Sequence, residues 1–91
     1  MATRTVISVL GTDRTGIVAR LATTLAEHGA NLDDISQTIM NGIFTMTMMV
    51  TLNEDVSPFN EVQSALAEDA KELGVQVTMQ RADVFRMMHE V

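Results

Sequence analysis

The chain has 91 residues, enough for one domain, and 46% of them are hydrophobic, too many for a disordered segment. Six basic residues against twelve acidic ones give a net charge of −6, which opposes docking on nucleic acid or on an anionic membrane, since phosphate binding is driven mainly by Lys and Arg. The absence of cysteine excludes disulfides, thiolate metal sites and a cysteine nucleophile, and no apolar run approaches the ~18 residues needed to span a bilayer.

Thr3–Leu10 is rich in Val, Ile and Thr and reads as a strand. Apolar residues fall on both faces (Val6 and Leu10, Ile7 and Val9), as expected of a central strand or one with its second face covered. Gly11-Thr12-Asp13-Arg14-Thr15-Gly16-Ile17-Val18 follows and leads into a helix pattern. Such a junction leaves free backbone N–H groups at the positive end of the helix dipole, a place to hold a carboxylate or phosphate. No Gly-Lys-Ser/Thr follows and Gly-x-Gly-x-x-Gly is absent, so the turn is neither a P-loop nor a dinucleotide fingerprint. The bland alternative is that both glycines serve only a tight turn and close packing.

Arg14–His28 reads as a helix with an apolar stripe of Ile17, Val18, Leu21, Ala22, Leu25 and Ala26. Asp13 is the expected N-cap and Gly29 the C-cap. Asn31–Met40 reads as a strand, Asn41-Gly42 as a hairpin turn, and Ile43–Leu52 as the return strand. On that return strand Phe44, Met46, Met48, Val50 and Leu52 share one face, and Thr45, Thr47, Met49 and Thr51 the other. Ser57-Pro58 opens a second helix, with Ser57 as N-cap, Pro58 as first helical residue and a stripe of Phe59, Val62, Leu66, Ala70 and Leu73. Gly74 stops it, Val75–Arg81 is the last strand, and Asp83–Val91 has Val84, Met87, Met88 and Val91 at helical spacing.

The order strand, helix, strand, strand, helix, strand predicts a ferredoxin-like βαββαβ sandwich of the α+β class. A four-stranded antiparallel sheet would carry both helices on one face, with a short C-terminal helix. Residues 1–91 are expected to be a single domain, core 3–81 and C-terminal extension 82–91. Neither a signal peptide nor a targeting segment is legible at the N-terminus, so a cytoplasmic location is expected.

Other chemistry-bearing residues favour plainer roles. Asp33 and Asp34 are neighbours on a strand, so their carboxylates should point to opposite faces and not converge on a metal or a proton. Eight methionines could suggest Cu(I), but Met46 and Met48 share a face with Phe44 and Val50, as core packing requires. His28 and His89 lie far apart with no cysteine to join them, so neither a zinc site nor a nucleophile triad is supported. No metal or cofactor is expected.

The pattern Gly11-x-Asp13-x-x-Gly16-Ile17-Val18, a helix, then Gly29-x-Asn31-Leu32-x-Asp34-Ile35 resembles an ACT domain. Asp33-Asp34-Ile35-Ser36-Gln37-Thr38, Phe44-Thr45-Met46 and the tail through Phe85-Arg86-Met87 resemble the small stand-alone ACT proteins of bacteria and archaea. The resemblance covers essentially the whole chain. It implies a βαββαβ regulatory module that binds an amino acid or related metabolite near the first strand–helix turn and pairs into a homodimer, with a regulated protein as a possible partner. The implied ligand-binding residues are Gly11, Thr12, Asp13, Gly16 and Ile17, more weakly Asn31, with Arg14 as the basic residue of the turn. Many ACT domains have Pro where this chain has Thr15, which leaves the turn less rigid.

The leading expectation is therefore a non-enzymatic amino-acid-binding domain. Backbone N–H groups of residues 12–17 would hold the carboxylate, Asp13 the ammonium group, and Leu10 and Ile17 would border the side chain. The alternatives are a protein-interaction adaptor docking through Val84–Val91, and an acylphosphatase-type enzyme relying on Arg14. RNA binding is disfavoured, since only Phe44, Phe59 and Phe85 could stack on bases.

Overall fold

The computed structural model describes residues 2–89. Its elements run β1 (Ala2–Thr12), α1 (Ile17–Glu27), β2 (Asn31–Met40), β3 (Ile43–Asn53), α2 (Phe59–Leu73), β4 (Val75–Arg81) and α3 (Ala82–His89). The sheet order is β2-β3-β1-β4 and every neighbouring pair is antiparallel. This is the expected ferredoxin-like layout with a short C-terminal helix. Val91 and the Met88 side chain lie outside what is described.

β1 is an inner strand, between β3 and β4, and both of its faces carry buried apolar residues. Ile7 and Val9 face the helices and are buried, while Val6, on the other face, is only 6% exposed. α3 packs against β1 and β4 on that side. On β3 the alternation is regular: Phe44, Met46, Met48, Val50 and Leu52 are buried. The methionines at 46 and 48 thus fill core space beside Ile7, Leu21 and Leu66.

The hairpin between β2 and β3 turns on Asn41 (φ 52) and Gly42 (φ 79), the two positive values a two-residue turn demands. Gly74 (φ 72) caps the end of α2.

Three local expectations are corrected. α1 begins at Ile17, not Arg14, and its N-cap is Gly16 (φ 90), not Asp13. The Asp13 N–H donates to the Gly42 carbonyl at 2.8 Å, so Asp13 is tied to the β2–β3 hairpin before the helix starts. The N-cap of α2 is Pro58 (ψ 158), one residue later than expected, with no side-chain cap, and Ser57 is buried beneath it. In the α1 stripe Ala26 is exposed, and Thr24, 6% exposed, takes a core-facing place instead.

Thr24 is inside because it has a partner there. Its hydroxyl donates to Asp69, which is 5% exposed, and Arg20 Nε donates to the same carboxylate at 2.9 Å. Arg20 also bonds Glu72. These contacts clamp α1 to α2 and satisfy a buried charge that would otherwise be costly.

β2 is the exception to burial. All ten of its residues are exposed, including Leu32 (38%), Ile35 (38%), Ile39 (58%) and Met40 (66%). It is an edge strand, and neither helix reaches far enough to cover its inner side. A bulge between Leu32 and Asp34 leaves Asp33 as the extra residue. A bulge sets two residues opposite one, so Asp33 and Asp34 both lie on the face away from the helices, against the expectation of opposite faces. Asp33 accepts from the Thr51 hydroxyl and from Asn31 Nδ2, each at 2.5 Å. Those bonds hold its carboxyl below the usual carboxylate range, Thr51 contributing most. The Asp34 carboxylate turns back to the N–H of Ile35. Among the described residues no cluster of His, Asp and Glu could hold a metal ion.

Candidate ligand site at the first strand–helix turn

The sheet ladder runs further than expected, through Gly11 and Thr12. Gly11 pairs with Phe44 and Val75, and Thr12 with Ile43. Gly11 is required by packing: a Cβ there would lie 2.6 Å from Val75 Cγ1 and 3.1 Å from its Cα. Gly16 is required by conformation alone, since at φ 90 nothing lies within 4 Å of where its Cβ would be.

Between these glycines the turn is held at two neighbouring residues. Asp13 N–H is bound to the hairpin. Arg14 Nη1 donates to the Leu73 carbonyl at 3.2 Å, reaching the carbonyl end of α2. A cation at a helix C-terminus is favourably placed. Arg14 is thus engaged with the end of α2 through Nη1. The Asp13 carboxylate makes no hydrogen bond among the described residues and is exposed.

α1 opens on Gly16 with no side-chain cap. The first intrahelical bond is Arg20 N–H to Gly16 O at 2.9 Å, so helix geometry leaves the N–H groups of Ile17, Val18 and Ala19 without intrahelical acceptors. These three donors, with the dipole behind them, make an anion-attracting end, and Asp13 stands in the turn that leads into it. An anion and an ammonium group close together, as in a free amino acid, match that pair of charges.

Two expected wall residues do not line the turn. The Ile17 side chain is 2% exposed and belongs to the core, so only its N–H is available. Leu10 is 48% exposed but lies on the sheet face opposite α1, because side chains alternate from the buried Val9. Asn31 is also remote. It pairs with Thr51 while Gly11 pairs with Phe44, which separates them by roughly 20 Å along β3. Asp69, which sequence reasoning passed over, is the buried ionisable group of the helix layer; its only sequence signal is a carboxylate one position from the apolar stripe.

Comparison with known proteins adds to this geometry. The family model for the ACT domain matches residues 3–80. A UPF0237 protein of Methanopyrus kandleri is 46% identical over 89 residues, 98% of this chain and 99% of its own length. Among solved structures, an ACT domain protein from Streptococcus pneumoniae superposes with a TM-score of 0.78 at 34% identity, covering 93% of this chain and 96% of that one. The ligand-free regulatory subunit of aspartate kinase from Thermus thermophilus gives a TM-score of 0.67 at 25% identity, covering 88% of this chain and 53% of that one.

Proposed function

This chain belongs to the ACT domain family, and on that premise we propose that it is a non-enzymatic regulatory domain that binds a small amino acid as a homodimer. The observation that carries the reading is the uncapped start of α1 at Gly16, with the exposed Asp13 in the turn that leads into it. The N–H groups of Ile17–Ala19 take the ligand carboxylate and Asp13 takes its ammonium group. The turn is organised in advance by the Asp13–Gly42 and Arg14–Leu73 bonds, so little ordering cost falls on binding.

The dimer is built on β2. β2 offers an unpaired edge with Leu32, Ile35 and Ile39 uncovered on the helix side. Antiparallel pairing of two β2 edges about their midpoint sets the partner's Asn31 beside Met40, next to the hairpin that holds Asp13. Asn31, remote within one chain, then lies at the hairpin end of the other, three strand spacings or roughly 14 Å across the sheet from Thr12.

A thermal-shift panel of the twenty amino acids tests the ligand. A ligand at a hundred times its dissociation constant adds about 2.7 kcal/mol of stability. No shift with any amino acid at millimolar concentration overturns the amino-acid reading.

One observation favours a second reading, an adaptor docking through α3: Val84 (43%) and Met87 (76%) are exposed. A chain ending at Ala82 would then lose its partners while keeping its oligomeric state. The acylphosphatase reading would rest on Arg14, whose Nη1 donates to the Leu73 carbonyl.

A further inference from the structure

Among the described residues, Asp69 is the charged residue that the fold buries, 5% exposed near the end of α2. No step of the proposed binding uses it. Burying a carboxylate carries a desolvation cost, and a well-packed apolar residue often serves stability as well or better. What a hydrogen-bonded carboxylate adds is direction, because its partners must arrive at defined atoms and angles.

Its partners show what it directs. Side-chain bonds join α1, and the turn before it, to the end of α2 in antiparallel order. Arg14 Nη1 donates to the Leu73 carbonyl at 3.2 Å. Arg20 bonds Glu72, and its Nε donates to one oxygen of Asp69 at 2.9 Å. Thr24 donates to the other oxygen of Asp69. The Glu72 carboxylate is 58% exposed, so its pairing with Arg20 adds little, and Asp69 is the firm anchor. Arg20 stands on the first turn of α1, and its own N–H closes that turn on the Gly16 carbonyl at 2.9 Å. The helix start has no side-chain cap, and Gly16, at φ 90, has open space around it. The direction of the first turn therefore depends on the grip of α2.

We propose that Asp69 is a positioning residue for the β1–α1 turn: acting through Arg20, it fixes where the N–H groups of Ile17–Ala19 point. The inference rests on the reading of that turn as the ligand site, and Asp69 itself touches no ligand. The planar guanidinium suits the task, since its donors are held in a rigid fork. Thr24 grips the same carboxylate about one turn further along α1, so the two bonds divide the work. The Arg20 bond orients the helix start, and the Thr24 bond holds the helix pair together.

The test is amide shift mapping of the full chain, first free and then titrated with each of the twenty amino acids and with inorganic phosphate. In the free protein, Asp69→Asn should move the amides of Ile17, Val18 and Ala19, remote as they are in sequence. Thr24→Val should lower the urea midpoint and leave those amides in place, which separates positioning from a merely structural role. For an amino acid that binds the wild type, Asp69→Asn and Arg20→Gln should each weaken binding by about tenfold, and the double variant no further, because both remove one contact. Arg20, with its side chain 44% exposed, is the position to use should Asp69→Asn fail to fold; Arg20→Gln should then move the amides of residues 69–73 and lose the same affinity. Unmoved Ile17–Ala19 amides in Asp69→Asn overturn the proposal, as do unchanged affinity or losses that add. If no amino acid and no phosphate shifts the wild type, the ligand reading falls, and the amides of the free protein still decide whether Asp69 sets the turn.

Discussion

A methyl group on Gly11 would meet both the side chain and the backbone of Val75, so the strand pair must part to admit it. Gly11→Ala is expected to cost about 1–3 kcal/mol in urea unfolding, the range for forcing extra volume into a packed site. Gly16→Ala has open space around it and pays only for its backbone angle, about 1 kcal/mol. The two variants also separate packing from binding: if the turn holds a ligand, Gly16→Ala loses affinity beyond its small stability cost, because it disturbs the start of α1. Asp69 tests the helix clamp. Asp69→Ala strands the Thr24 hydroxyl and one arm of Arg20, and should cost about 1–3 kcal/mol by denaturant midpoint. A loss near zero would show that the clamp contributes only orientation.

At the scale of elements, the loop after β3 ties several ends together. Glu54 accepts from the Thr3 hydroxyl of β1 and from the N–H of Phe59 at the start of α2, and lies 3.8 Å from Arg81 at the end of β4. The Thr3 bond is the main cause that holds the Glu54 carboxyl below its usual range. A depressed carboxylate stabilises the fold above its unfolded titration point, and that support is lost as pH falls through the folded value. The stability gap between wild type and Thr3→Val should therefore be full at neutral pH and shrink below about pH 4. Urea midpoints of both proteins across that range measure it, and a constant gap would count against the mechanism. Most elements were legible from sequence: β2 and β4 match residue for residue, and the Asn41-Gly42 turn has the expected angles. What failed was decided by distant partners. Asp13 looks like a cap in its local sequence, but its N–H is taken by Gly42. The strand-like alternation of residues 31–34 hides a bulge that Thr51 stabilises from across the ladder. Nothing in the local sequence shows that Arg14 reaches the end of α2.

At the scale of the whole molecule, the proposed dimer makes the exposed β2 edge an internal one. Ile35→Lys, in the middle of that edge, should yield a monomer by size exclusion while its amide spectrum keeps the wild-type fold. If the wild type is a dimer, its melting temperature rises with protein concentration and that of Ile35→Lys does not. Two copies at −6 each repel, so added salt should tighten the dimer.

The central place of β1 has a consequence for how the chain is made. β1 is synthesised before both of its partners, pairing with β3 and then with β4, from Thr5 opposite Arg81 to Gly11 opposite Val75. Until the last strand has left the ribosome, one flank of β1 stays open and its apolar residues lack their final neighbours. The β2–β3 hairpin, by contrast, can close as soon as it emerges. Each nascent chain therefore carries a β-prone strand with an open flank until β4 emerges, a window in which two chains on neighbouring ribosomes can pair wrongly through a segment that later becomes an inner strand of the sheet.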